Sequence, residues 1–226
     1  MGAAMDAANL NPYTDPGHPW QGKTVFCLAS GDSLRRLDAS EWALIRDAQR
    51  HGDIVLAVNS SIKTARNGGC EPDALIFTDQ NWFEDNETLI RAFKGPVFTL
   101  SRRAKVAMPE LLRLENITRG DFGLCPPLRD GRSTGHRAVS LAVMCGARRV
   151  VMMGYDMRVD PDTGRSHCHD DYQHTETMKS YRDEFIPSFN GWHQDGLRVG
   201  CEIVNATDGT ALDEFPKVRL MDVFAC

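Results

Sequence analysis

Apolar residues along this chain fall into short dense runs separated by longer stretches of mixed polarity, and the alternation repeats. Residues 23–29 (KTVFCLA), 53–58 (DIVLAV), 74–77 (ALIF), 96–100 (PVFTL), 149–153 (RVVMM) and 202–205 (EIVN) are rich in aliphatic and β-branched side chains. Runs apolar at successive positions, rather than at every second one, predict strands covered on both faces, as in a parallel sheet. Between them, 34–49 places Leu34, Leu37, Trp42, Leu44, Ile45 and Ala48 at helical spacing, with a break expected near Asp38. Short helices are predicted up to Asn67, where Gly68 and Gly69 stop the chain, and over 89–93. The small and apolar residues of 136–145 predict a well-buried helix, opened by Ser133-Thr134-Gly135 and closed by Gly146. Another is expected over 176–189, limited by Pro187 and resuming over 192–197. Residues 101–130, with Pro109, Pro126 and Pro127, predict irregular structure and a weak strand at 116–118. This order predicts one α/β, Rossmann-like domain over 23–226, a mainly parallel sheet with helices on both faces and right-handed crossovers. Residues 1–22, with Pro12, Pro16, Gly17, Pro19 and Gly22, read as a loose N-terminal arm.

Composition narrows the setting. A chain of 226 residues, 42% hydrophobic and 25% charged, can bury a core of its own without staples. A net charge of -5 gives no general pull toward nucleic acid or an anionic membrane, although Arg35–Arg36, Arg102–Arg103 and Arg148–Arg149 leave room for a local basic patch. The seven cysteines are odd in number and scattered, with no CxxC, which predicts a reducing, cytoplasmic compartment. No apolar run approaches the ~20 residues needed to span a bilayer. The first residues lack the basic start and long apolar core of a signal peptide.

The predicted strands share a feature at their ends. Each stops at a small or polar cluster: Ser30-Gly31-Asp32-Ser33, Asn59-Ser60, Thr78-Asp79, Gly154-Tyr155-Asp156 and Asn205-Ala206-Thr207, with Ser133-Thr134-Gly135 opening a helix. In a doubly wound sheet, ligands bind outside the carboxyl ends of the strands. Small residues there admit a ligand to the backbone, Asn and Asp read a base or ribose, and helix-start N–H groups attract phosphate. Turn residues follow strands in any α/β domain, so Asp32, Ser33 and Asp38 also read as caps of the first helix, and Asp79 as a cap of a later one. Tyr155, Tyr181, Trp82 and Trp192 read first as packing residues. No GxGxxG or Walker A motif is present.

Residues 158–177 are polar and rich in histidine. Ser166-His167-Cys168-His169-Asp170-Asp171-Tyr172-Gln173-His174 admits several readings. A histidine here suits a general base near neutral pH, with His167 first, His169 second and His174 third, and Asp171 as the accompanying acid. His167, His169 and Asp171 could instead ligate a divalent metal. The stretch could also be a lid that orders on ligand binding, or a polar loop without function.

Taken together these segments resemble a known superfamily. LASGDSLRRLD looks like the opening of bacterial sialyltransferases related to the Campylobacter lipooligosaccharide enzymes, and of the archaeal 6-hydroxymethylpterin diphosphokinase-like proteins. AVNSSI, EPDALIFTD, RSTGHRAVSLAVMCGARRVVMMGYDM and EIVNATDGTALDEFP are similar to the segments that follow, in the same order, over roughly 23–220. Uncharacterised phage and prophage proteins of this superfamily are also similar. Asp32 stands where the sialyltransferase pattern has proline, and Arg132 is close to, but out of register with, an arginine before its Thr-Ser-Gly turn. The resemblance implies that Gly31, Ser33 and Asn59 line a nucleotide, that Thr134 and Gly135 meet a donor phosphate or sugar, and that Gly154 and Asp156 lie beneath the nucleotide. It implies a glycosyltransferase using a CMP- or UDP-linked sugar, with a histidine base and inversion at the sugar carbon. The acceptor would be a glycan, a small molecule or a modified base in phage DNA, and a homo-oligomer is compatible. The diphosphokinase-like relatives imply a second reading, pyrophosphoryl transfer from ATP with Mg²⁺ held by acids such as Asp32, Asp79, Asp156 or Asp171. A third is a nucleotide-binding module without catalysis.

Overall fold

The computed structural model describes residues 18–114, 131–171 and 177–224. The apolar runs form strands β1 (Thr24–Leu28), β2 (Ile54–Val58), β3 (Ala74–Phe77), β4 (Val97–Thr99), β5 (Leu112–Arg113), β6 (Arg149–Met153) and β7 (Glu202–Asn205). They make one seven-stranded sheet in the order β5-β4-β3-β2-β1-β6-β7, and every adjacent pair is parallel. β1 lies inside the sheet, with Phe26 paired to Val55 on one side and Val151 on the other. After β5 the chain returns across the sheet to the far side of β1. The strand order therefore reverses between β1 and β6, the place where ligand crevices open in such sheets.

The helices are α1 (Ala39–Arg50), α2 (Ser61–Asn67), α3 (Gln80–Ala92), α4 (Arg102–Ala107), α5 (Thr134–Met144), α6 (Met178–Ser180), α7 (Trp192–Arg198) and α8 (Leu220–Val223). α6 runs on into a π turn, Tyr181–Phe185. Because strand side chains alternate, each strand feeds two layers. Val25, Cys27, Val150 and Met152 pack under α5 and against Phe189 and Trp192. Phe26, Leu28, Val151 and Met153 pack under Trp42 and Ile45 of α1. Ala57, Leu75 and Phe77 meet Ile62, Trp82, Phe83 and Ile90 of α2 and α3. The single α/β domain with helices on both faces is as expected, and its sheet is parallel throughout.

Three expectations need correction. Residues 101–114 are not irregular, since they hold α4 and β5. α3 starts at Gln80 rather than near Leu89, and is kinked at Asn86 (φ -122°, ψ 16°), where Asn86 Nδ2 donates to the Trp82 carbonyl. The break expected near Asp38 is present: Asp38 caps α1 in a reciprocal box with Glu41 and separates it from a 3₁₀ turn at Asp32–Arg36. Residues 18–22 are not loose: Trp20 is buried edge-on against Phe98, and its N–H donates to the Cys145 carbonyl. The buried indole and the backbone bond together offset the freedom lost by ordering the segment. The rest of the arm (1–17) and the expected strand at 116–118 lie outside the described residues.

One buried histidine joins α5 to the π turn. His136 Nε2 lies 3.1 Å from the Phe185 carbonyl, and Nδ1 lies 2.7 Å from Ser133 Oγ. The ring stacks on Phe189 at 3.7 Å. With Nε2–H donating and Nδ1 accepting, the neutral ring is satisfied. Burial, only partly offset by the bond to Phe185, drops its pKa from 6.5 to about 3. Its contribution to stability is therefore complete above pH 6.5 and is lost as pH falls toward 3, at up to about 1.4 kcal/mol per unit. Urea unfolding between pH 7 and 5 should show a shallower loss in His136→Gln than in the parent chain. Equal slopes would mean that this ring does not carry the acid sensitivity.

Candidate functional site

All the strands are parallel, so their carboxyl ends and the loops leaving them share one edge of the sheet. A cleft of about 820 Å³ opens there. Gly31, Asn59, Asp79, Ser133, Thr134, Gly135, Gly154, Tyr155, Asp156, His167 and Asp171 all line it. Asp32, Ser33 and His169 do not border it. His174 lies outside the described residues.

The floor, between the ends of β1 and β6, is shaped by a carboxylate with a structural task. Asp156, 4% exposed, accepts hydrogen bonds from the Ser33 backbone N–H (2.9 Å) and hydroxyl (2.7 Å). Burial raises its pKa against these bonds and the nearby Arg36. Ser33 thus ties the two loops together rather than facing a ligand. Asp32 is buried behind the floor and faces Arg36 at 3.2 Å and Arg165 at 3.5 Å, with Arg36 also reaching Asp160 at 3.0 Å. A buried carboxylate needs such partners, and Asp32 serves as the anchor of these arginines. Tyr155 is a packing residue: its hydroxyl donates to the Gly135 carbonyl at 2.9 Å.

The histidine segment crosses the ends of β1 and β2 as a strap. The Cys168 N–H donates to the Ser30 carbonyl at 2.8 Å, and Thr64 Oγ1 reaches Cys168 Sγ at 3.3 Å. Asp171 accepts from Lys63 Nζ at 2.6 Å and from Ser60 Oγ, which itself accepts from the Trp82 indole N–H at 2.7 Å. Burial opposes ionisation of Asp171, but the bonds from Lys63 and Ser60 carry its pKa below the usual carboxylate value. Asp171 is therefore an anchor of the strap. His167 and His169 are stacked with centroids 5.5 Å apart. Burial lowers the pKa of His167, against a bond to the Ser30 carbonyl. Burial takes His169 down to about 4, and its Nδ1 accepts the Asp171 N–H at 3.2 Å. Both rings are neutral at pH 7, and only His167 borders the cleft.

The opposite wall is the start of α5, where Ser133 caps the helix and the first-turn N–H groups carry the positive end of its dipole. Arg132 and Arg137 flank it on the cleft, and Arg137 donates to Thr78 Oγ1 at 3.1 Å, which shares a 2.6 Å hydrogen bond with Thr134. Arg137, Asn81, Glu84, Asp85 and Ser166 also line the cleft but were not singled out from sequence. A helical period places Arg137 one turn after Ser133, which is the signal that was there to find. Among the described residues, no group of three or more His, Cys, Asp or Glu is arranged to hold a metal ion. No helix among the described residues is long and apolar enough to cross a membrane. Compared with known proteins, the chain matches no protein-family model and no characterised protein.

Proposed function

We propose that the cleft binds a nucleotide sugar and transfers its sugar to an acceptor hydroxyl. The observation that carries this reading is that a neutral histidine, His167, and a helix N-terminus flanked by Arg132 and Arg137 border one cleft at the β1/β6 reversal. The donor phosphate would sit on the α5 N–H groups and the two arginines. The acceptor O–H would give its proton to His167 as its oxygen bonds the anomeric carbon. The carbon–oxygen bond to phosphate would break, its electron pair leaving on the phosphate, which the α5 dipole and arginines stabilise. Attack opposite the leaving phosphate inverts the sugar carbon. The resemblance of 23–220 to the sialyltransferase group supports the same reading. A second reading has one observation in its favour: Asp79 lines the same cleft, and Mg²⁺ bound mainly by ATP phosphates needs only one or two carboxylates from the protein.

A thermal-shift panel of CMP, UDP, GDP, ATP and their sugar conjugates, each with and without Mg²⁺, tests both. A pyrimidine nucleotide should stabilise the protein without metal, by about 2.7 kcal/mol at one hundred times its Kd. Arg132→Ala should weaken that nucleotide about tenfold or more, the value of a charge-assisted hydrogen bond. Stabilisation by ATP only with Mg²⁺ would establish the second reading, and no shift with any nucleotide would remove both.

A further inference from the structure

The walls of the cleft are unequal in charge. Among the described residues, five carboxylates line it (Asp79, Glu84, Asp85, Asp156 and Asp171) against two cations, Arg132 and Arg137. Both arginines flank the start of α5, where a donor phosphate would be held. Asp171 is paired with Lys63 and Asp156 is held by Ser33, which leaves Asp79, Glu84 and Asp85 to set the sign of the open wall, while Arg165 is committed to Asp32 and Asp170. A second anion in this cleft would therefore meet carboxylates without a cation of its own, and at short range in a partly enclosed site such repulsion is strong.

A second, independent feature points to what the cleft does accept. Ser166, next to His167 in the strap, is 3% exposed and lines the cleft, and its hydroxyl has no hydrogen-bond partner among the described residues. A buried hydroxyl without a partner is costly and rare. A seryl χ1 has three staggered wells, and this residue forms part of the cleft wall. A hydroxyl beside the base is suited to another hydroxyl, as donor or acceptor. We infer that the transferred group is a neutral, hydroxyl-bearing sugar, and that Ser166 hydrogen-bonds one of its hydroxyls. The inference rests on the glycosyltransferase reading and narrows it. Sugars activated as CMP conjugates are characteristically acidic, so of the two pyrimidine donor classes UDP-linked hexoses become the expected one.

Binding of UDP, UDP-glucose, UDP-glucuronate, GDP-mannose and CMP-sialic acid should be measured by calorimetry on the parent chain and on Ser166→Ala. UDP-glucose and UDP-glucuronate differ at one carbon of the sugar, a neutral hydroxymethyl group in the first and a carboxylate in the second. We expect a neutral conjugate to bind at least tenfold more tightly than either acidic one. Ser166→Ala should weaken the preferred neutral conjugate about 3- to 10-fold, the worth of one uncharged hydrogen bond, and leave its bare nucleotide unchanged. Its Tm should equal or exceed that of the parent, because no protein partner loses a bond. Preference for UDP-glucuronate or CMP-sialic acid would overturn the neutral-sugar assignment while leaving the transferase reading standing. Equal weakening of conjugate and bare nucleotide, with a lowered Tm, would make Ser166 a structural residue and overturn its role. No binding of any nucleotide would remove the transferase reading and this inference with it.

Discussion

His167→Ala should lower turnover by about 10²- to 10⁴-fold, the range for loss of a general base, while changing the affinity for the donor nucleotide less than threefold. The expectation follows from where the ring sits and how it is held. His167 borders the cleft, and burial depresses its pKa, with nearby Arg165 acting in the same direction and only the hydrogen bond to the Ser30 carbonyl opposing it. A ring nitrogen donating to that carbonyl leaves the other as the basic one, so the tautomer is set by the backbone. Since protonation removes the base, the acid limb of kcat/KM should fall below the ordinary histidine value of 6.5, with full activity above it, and should vanish from the residual activity of the variant. His169→Ala is the matched comparison. His169 does not border the cleft and spends Nδ1 on the Asp171 N–H. Its loss should cost less than about tenfold, through the strap rather than the chemistry. Equal losses in the two variants would place the base elsewhere, and unchanged turnover in His167→Ala would remove it from the mechanism.

The sequence shows where the cleft is more clearly than how its residues are used. β3, β6 and β7 coincide with the apolar runs read from the chain, because strands covered on both faces leave dense apolar signatures. The polar clusters that follow β1, β2, β3 and β6 converge because parallel strands put all their carboxyl ends on one edge. What failed was short or polar. α4 has six residues, three of them Arg102, Arg103 and Lys105, and β5 has two, too few for any period to show. The first turns of α3 are polar because they face the cleft, and the kink at Asn86 cuts the apolar spacing in half. Which polar residue serves the fold and which faces a ligand depends on contacts far apart in sequence. Ser33 meets Asp156, Tyr155 meets Gly135 and Ser60 meets Asp171 only when the sheet is assembled. Asp32 resembled a ligand residue for the same reason, since its arginine at position 165 is brought to it by the strap.

Gly31→Ala should destabilise the protein by about 3 kcal/mol, at the upper end for overpacking, and abolish nucleotide binding. The reason is room rather than backbone freedom, for Gly31 has φ -65° and ψ 154°, which any residue adopts. A Cβ there would lie 1.9 Å from Asp156 Oδ2 and 2.4 Å from the Gly154 carbonyl oxygen. The Gly31 N–H is itself bonded to that carbonyl at 2.8 Å, so the loop cannot retreat without giving up a backbone bond. Gly154 in turn has φ +73°, with its own Cβ direction 2.5 Å from the Ala29 carbonyl oxygen, so the two loops fix each other by close backbone approach. Gly191→Ala separates crowding from backbone preference. Gly191 has φ +84° with nothing near its Cβ position, so alanine there should cost only about 1 kcal/mol, from strain alone. Adding Asp156→Ala to Gly31→Ala should not restore stability, because the Gly154 carbonyl still blocks the methyl group and Ser33 loses its acceptor. Urea unfolding of the four proteins measures the differences. A loss below about 1 kcal/mol in Gly31→Ala would mean that the β1 and β6 loops separate easily, and the floor of the cleft would then be adjustable rather than fixed.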